Sequence, residues 1–342
     1  MKEEWMILPF SIPSPEMQFL QIGPLRIYFY ALCIIAGVIA AWIWTSRRIG
    51  KRGGERGAVF DFVMWALVLG IVGARLYHVL THWGDYFGPG TNPLDIFAIW
   101  KGGIAIFGAL IGGAIGVLIA SRITGIRFWS FADALVPGML LAQAFGRVGN
   151  WFNHELFGGP TTLPWGLEIE SGNAAFPIGL PAGTLFHPTF LYEILWNLLG
   201  ILVLLAIERR VKPRWGEFFG MYLIWYGIGR AMIESLRVDP SLLFLGMRTN
   251  VLTALLAILL GIVIILVQRR RHVGIENTVY LPGRRNPEDA VLEETADPEE
   301  YFHVLDHGER GATSAAGDTE AADTAEAPVE EAGSPESADA RR

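Results

Sequence analysis

Residues 27–45 read IYFYALCIIAGVIAAWIWT, and Ser46-Arg47-Arg48 follows at once. The run carries no Asp, Glu, Lys or Arg. A helix of about 20 mostly apolar residues is what it takes to cross a bilayer, whose hydrocarbon core is about 30 Å thick. Working outward, six more stretches have the same character: 58–80, 104–120, 128–148, 188–207, 216–236 and 250–267. The expected fold is therefore an all-α integral membrane protein, a seven-transmembrane-helix bundle. The composition agrees. Of 342 residues, 52% are hydrophobic and only 18% charged, against about 45–50% and about 25% in soluble domains.

Lysine and arginine in the connections give the orientation. One set of loops holds Arg47, Arg48, Lys51, Arg52, Arg56, Arg122, Arg127, Arg209, Arg210, Lys212, Arg214, Arg269, Arg270 and Arg271. The opposite set holds far fewer, Lys2, Arg26, Arg237 and Arg248 among them. The alternation places the N-terminus outside and the C-terminus in the cytoplasm. The first apolar run follows Glu3, Glu4 and Glu16 rather than a basic region, so no cleaved leader is expected.

The overall charge of −7 describes neither part of the chain. Residues 273–342 contain 18 acids and 5 bases, whereas 1–272 contain 16 acids and 22 bases. The expected organisation is a membrane domain over 1–272 and an acidic, disordered cytoplasmic tail over 273–342, too polar to offset its chain entropy. Residues 149–187 are rich in turn formers, among them Gly158-Gly159-Pro160 and Pro181-Ala182-Gly183, and suggest a small extracytoplasmic cap, irregular or β-containing. The single cysteine, Cys33, excludes an intrachain disulfide or a cysteine zinc site. The bases form no groove-lining stripe, which argues against nucleic-acid binding.

Arg75, Asp133, Arg147, Glu193, Arg230 and Glu234 fall in or at the ends of the spans. Such groups cost about 2.5 kcal/mol or more at the bilayer centre, and they pair, line a wet cavity or serve a function. Arg230 and Glu234 share a helix face at i and i+4, as a functional pair or a stabilising one. Glu193 suits an arginine on another helix. The densest polar stretch is Gly146-Arg147-Val148-Gly149-Asn150-Trp151-Phe152-Asn153-His154-Glu155-Leu156-Phe157-Gly158, at the end of the fourth span. Its arginine offers a planar fork of donors suited to phosphate oxygens. A purely structural staple of the loop is the alternative. Gly146, Gly149 and Gly158 are expected to permit tight or left-handed turns.

This segment resembles the motif G-R-x-G-N-[FW]-x-N-x-E-x-x-G of the bacterial prolipoprotein diacylglyceryl transferases. Gly73-Ala74-Arg75-Leu76, His187-Pro188-Thr189-Phe190-Leu191-Tyr192-Glu193 and Tyr226-Gly227-Ile228-Gly229-Arg230-Ala231-Met232-Ile233-Glu234 are similar to the family as well. The likeness covers roughly residues 20–270. It implies an enzyme of the bacterial inner membrane that moves the sn-1,2-diacylglyceryl group of phosphatidylglycerol to the lipobox cysteine thiol of a preprolipoprotein signal peptide. A thioether forms and sn-glycerol 1-phosphate leaves, with no metal or cofactor. Carried over, Arg147, Arg230 and Glu234 are the catalytic candidates. Arg147 would bind the headgroup, Arg230 would act on the phosphodiester or thiolate, and Glu234 would orient Arg230. Asn150 and Glu155 would hold the headgroup glycerol or the loop, and Gly158 would let the loop close. Tyr30 would bond phosphate or serve as an interfacial aromatic anchor. His187 is a proton-acceptor candidate or a cap at a span entrance, and His154 is a weaker candidate. The family pattern G-G-x-x-F-H-G-G departs here: the run is Gly102-Gly103-Ile104-Ala105-Ile106-Phe107-Gly108-Ala109, with Phe107 at the histidine position. The identity of the proton acceptor is thereby open. A transporter, with its buried Arg and Glu lining a path, is the main competing class, although no internal repeat is evident.

Overall fold

In a computed structural model, residues 11–237, 246–272, 274 and 276–284 are described, with the backbone of 243–244. The eight α-helices among them are α1 (Phe29–Lys51), α2 (Ala58–Thr81), the short α3 (Trp83–Phe87), α4 (Ile106–Thr124), α5 (Phe128–Phe152), α6 (Thr189–Val211), α7 (Glu217–Glu234) and α8 (Thr249–Arg271). Six are long and apolar enough to cross a membrane: α1, α2, α4, α5, α6 and α8. The remaining span expected from the sequence, 216–236, forms the 18-residue helix α7, which carries Glu217, Arg230 and Glu234. Leu110, Leu118, Leu202 and Leu259 stand among many large apolar side chains on the outer surface. A surface this apolar marks contact with lipid.

Glycine sets how closely the helices approach. Between α2 and α4, a Cβ on Gly112 would lie 2.0 Å from the Leu69 carbonyl oxygen, and one on Gly108 2.2 Å from that of Gly73. Backbone meets backbone there, so neither position has room for a side chain. The α6–α7 contact is built differently. Trp196 and Trp225 stack with centroids 4.3 Å apart. Each indole N–H donates to the other residue's carbonyl, at 3.2 and 3.3 Å. Gly229 leaves the space that the Trp196 ring fills, and Gly200 does so for Trp225. At the basic end of the bundle, the fully buried Asp133 of α5 accepts hydrogen bonds from the backbone N–H groups of Gly216 and Phe219, both at 2.8 Å. A side chain of one helix thus caps the start of another.

Three two-stranded antiparallel sheets depart from a purely helical reading: β1 (Phe19–Ile22) with β2 (Leu25–Tyr28), β3 (Leu167–Glu168) with β4 (Leu185–Phe186), and β5 (Leu243–Phe244) with β6 (Met247–Arg248). The segment after α5 does contain strand, and it has its own small core of Phe157, Leu167, Ile169 and Phe186, on which Ile12 and Trp151 pack.

The boundary of the acidic tail also differs from expectation. Residues 276–284 pack against the basic end rather than trailing from residue 273. Val279 and Tyr280 are buried with Ile49, Phe62 and Phe131, and the Val279 carbonyl accepts from the Arg127 N–H at 2.8 Å. Glu276 meets Ser130 and lies 3.9 Å from Arg127. The segment carries enough apolar and hydrogen-bonding groups to dock, which the average composition of the tail conceals. The rest of the expected tail, 285–342, lies outside the described residues.

Candidate active site

The polar motif at the end of α5 builds a chain of charge-assisted bonds. Arg147 donates to the Asn150 Oδ1 at 2.9 Å, and its Nε lies 2.5 Å from a carboxylate oxygen of Glu193 on α6. Asn150 donates in turn to Glu155 at 2.8 Å, and Asn153 donates to the same oxygen at 3.2 Å. The Asn150 carbonyl accepts from the Glu155 N–H, which folds the chain back under the helix end. Arg147 is thus held from two sides by fixed partners, and rigid placement is what a catalytic cation requires.

The glycines of the motif act by closeness, not by handedness. Gly146, Gly149 and Gly158 all have ordinary negative φ, and the left-handed residues of the loop are His154 (φ 53°) and Leu156 (φ 60°). A Cβ on Gly149 would come 2.7 Å from the Tyr30 ring. Tyr30 is thereby seated on the motif, within reach of the charges of Arg147 and Glu155. At Gly158 a Cβ would meet the His187 side chain at 2.7 Å and the Leu236 carbonyl at 2.9 Å. Three chain segments cross here, since the Gly158 N–H donates to the His187 carbonyl and the Gly159 N–H to that of Leu236.

Arg230 belongs to a second cluster. Glu234, fully buried, receives Arg230 at 2.9 Å, Arg248 at 3.0 Å and Asn250 at 2.9 Å, with Arg237 at 4.0 Å. One carboxylate therefore faces three guanidinium groups drawn from α7, the turn after it and the start of α8. The sequence reading found the Arg230–Glu234 pair but not Arg248 or Asn250. Both lie beyond a turn whose path no local pattern reveals.

The two clusters open on one cavity of about 110 Å³ between α5, α6 and α7. Arg147, Glu193 and Arg230 line it together with Gln143, Trp196, Asn197 and Tyr226. Gln143 donates to the Tyr222 hydroxyl at 2.7 Å, while its own amide oxygen is buried without a partner. Gln143, Asn197 and Tyr226 were not singled out from the sequence, although a glutamine or asparagine inside an apolar span is itself a signal. Glu193 is the only carboxylate among the lining residues.

Other candidates sit elsewhere. His187 bonds through Nδ1 to the Tyr192 hydroxyl at 3.2 Å and does not line the cavity. His154 bridges the Pro15 carbonyl at 2.7 Å and Glu170 at 3.0 Å, tying the N-terminal segment to the loop core. Partial burial raises the Glu170 pKa, but hydrogen bonds from His154, its own backbone and Asn173, with the charge of His154, outweigh it and leave the carboxyl below its ordinary value. Phe107 lies on the outer face of α4 beside Tyr77, 45% exposed and outside the cavity. Arg75, buried in α2, donates at 2.5–3.0 Å to the carbonyls of Asp95, Ile96, Gly102 and Gly103, and so fastens the loop before α4. Among the described residues, no group of three His, Cys, Asp or Glu side chains is placed to hold a metal ion.

Comparison with known proteins points the same way as the geometry. The prolipoprotein diacylglyceryl transferase family profile matches residues 17–267. A phosphatidylglycerol–prolipoprotein diacylglyceryl transferase of Leifsonia xyli subsp. xyli is 55% identical over 322 residues, covering 90% of this chain and 96% of that protein. Proteins of the same name from Paenarthrobacter aurescens and Mycobacteroides abscessus are 47% and 45% identical, covering 78% and 81% of this chain and 86% and 83% of their own.

Proposed function

Because the chain belongs to the prolipoprotein diacylglyceryl transferase family, we propose that it performs the reaction for which its relatives are named, with phosphatidylglycerol as donor and a prolipoprotein as acceptor. The observation that carries the reading is that Arg147 and Arg230, on different helices and each held by its own carboxylate, line one cavity. An anionic phosphodiester suits two fixed cations, and their hold strengthens as a leaving phosphate gains charge.

In this reading the acceptor is the lipobox cysteine of a signal peptide. Its sulfur attacks the sn-3 carbon of the diacylglyceryl group. The carbon–oxygen bond breaks, its electron pair leaves with sn-glycerol 1-phosphate, and the thiol proton passes to a base. Thiolate is the reactive form, and the guanidinium of Arg230, which lines the cavity, favours it. In this reading Glu193, which lines the cavity and pairs with Arg147, receives the proton. Arg147 grips the phosphate, and Asn150 and Glu155 hold Arg147 and the headgroup glycerol. Tyr30 closes the motif from α1. Gly158 and His187 keep the crossing of chains behind it, which supports a positioning role for both. Glu234 fixes Arg230.

The same reading makes α7 a seventh membrane crossing, its ion pair turned inward, in a bacterial inner membrane with the N-terminus outside. The strand-bearing segment after α5 then caps the outer face, and the site opens to the outer leaflet.

The test is incubation of the purified protein with labelled phosphatidylglycerol and a lipobox peptide, read by mass spectrometry. A mass gain of one diacylglyceryl group is expected. Arg147→Ala should lower its rate by on the order of 10²–10³-fold while the protein remains in the membrane. Retained transfer would overturn the headgroup role. Solute flux into liposomes without a covalent product would favour a transporter instead.

A further inference from the structure

The basic end of the bundle holds a second concavity, lined by other residues than the Arg147–Arg230 cavity. The helices α1 and α6 both pack on α5. Between them runs a groove of about 730 Å³, within the range of ligand clefts. Its apolar part is formed by Ala40 and Trp44 of α1, Leu141 of α5 and Leu205 of α6. Its mouth carries Arg47 and Arg209.

Two of the cations at the mouth are not balanced by a carboxylate among the described residues. Glu208 is the only acid lining the groove. It is already engaged by both nitrogens of the Arg48 fork, at 2.5 and 2.9 Å, and by Arg52 at 3.1 Å. Arg47 and Arg209 are exposed and have no carboxylate partner among the described residues. An excess of cations at this end follows from membrane orientation alone. A groove that continues from those cations into an apolar floor does not.

The dimensions select the ligand. From Ala40 to Lys51, both on the groove, α1 rises ~16 Å, about half of a ~30 Å hydrocarbon core. The groove therefore runs the depth of one leaflet, apolar toward the bilayer centre and cationic at its surface. We infer that this groove is a binding site for an anionic diacyl phospholipid of the leaflet at the basic end, its phosphate between Arg47 and Arg209 and an acyl chain along Trp44 and Leu205. Basic recesses between membrane helices take anionic headgroups by this chemistry. An acidic peptide segment, such as the tail beyond 284, matches the cations but not the apolar floor.

The test is native mass spectrometry of the full-length protein in detergent, titrated with dioleoyl phosphatidic acid or dioleoyl phosphatidylcholine. The wild type should retain one more phosphatidic acid than the double variant Arg47→Ala/Arg209→Ala, and phosphatidylcholine should show no such difference. Each cation near an anionic lipid surface is worth about fivefold, so the double variant should bind ~30-fold more weakly. Ala40→Phe, which fills the apolar end, should weaken phosphatidic acid binding too. Both variants should keep transferase activity, which shows that they fold. Equal retention of the two lipids, or binding unchanged in the double variant, would overturn the site. Loss in the double variant with full binding by Ala40→Phe would overturn it as well, since charge alone would then account for the binding.

Discussion

Replacing Glu234 by glutamine removes a buried negative charge that faces Arg230, Arg237 and Arg248 while keeping the shape and an oxygen for Asn250. Glu234 is fully buried, and the side chains of Arg230 and Arg237 are 14% and 5% exposed, so water screens little. Breaking a buried pair by neutralising one partner costs about 3–5 kcal/mol. The amide oxygen still accepts a bond, so the lower end applies, about 3 kcal/mol, or roughly a 150-fold shift in the folding equilibrium. Arg230 also loses its tether, and transfer should fall by on the order of 10²-fold. Asn250→Ala provides the contrast: it deletes one hydrogen bond, about 1 kcal/mol, and leaves Arg230 paired. Unfolding in detergent and the thioether assay would be run on both variants. A Glu234→Gln protein as stable as Asn250→Ala, or one of undiminished rate, would refute the view that this carboxylate holds the cluster together.

Gly229→Ala places a Cβ 2.1 Å from the Trp196 indole nitrogen. Overpacking of this kind costs about 1–3 kcal/mol, and the displaced ring, which lines the cavity, should raise KM; Trp196→Phe in the same protein should relieve both effects. Phe107→His should leave the transfer rate unchanged, because the side chain faces outward, and a gain of about 10²-fold would bring position 107 into the chemistry. Glu170 has its pKa lowered in the fold. Its contribution to the loop core is therefore present above the ordinary carboxylate pKa and is lost as the pH falls through the lowered value. Amide protection over residues 154–176, relative to the intrinsic exchange rate at each pH, should fall in acid for the wild type and show a weaker pH dependence in Glu170→Gln.

The long apolar runs were legible because each helix must hide its own backbone polar groups from lipid, and that demand is written locally. The α5 motif was legible for the opposite reason: so many polar groups at a span end need one another. What escaped was non-local. Arg248 and Asn250 reach Glu234 only after the chain has turned, and Arg75 looks like a site residue until its four carbonyl partners are seen. Gly149 and Gly158 lack the left-handed φ that the sequence suggests and are needed for close approach instead, since nothing in a sequence separates a glycine needed for its φ from one needed for its missing Cβ. The β1–β2 hairpin was missed because its four-residue strands are shorter than a convincing alternation. The docking of Val279 and Tyr280 vanished into the mean composition of an acidic tail.

The bonds from Asp133 to the start of α7 place a fulcrum under the site. The helix carrying Arg230 is clamped near residue 216 to the helix carrying Arg147, and the two arginines sit toward the far ends. From Glu217 to Arg230 the lever arm is about 20 Å, so a tilt of about 6° at the clamp swings Arg230 by ~2 Å.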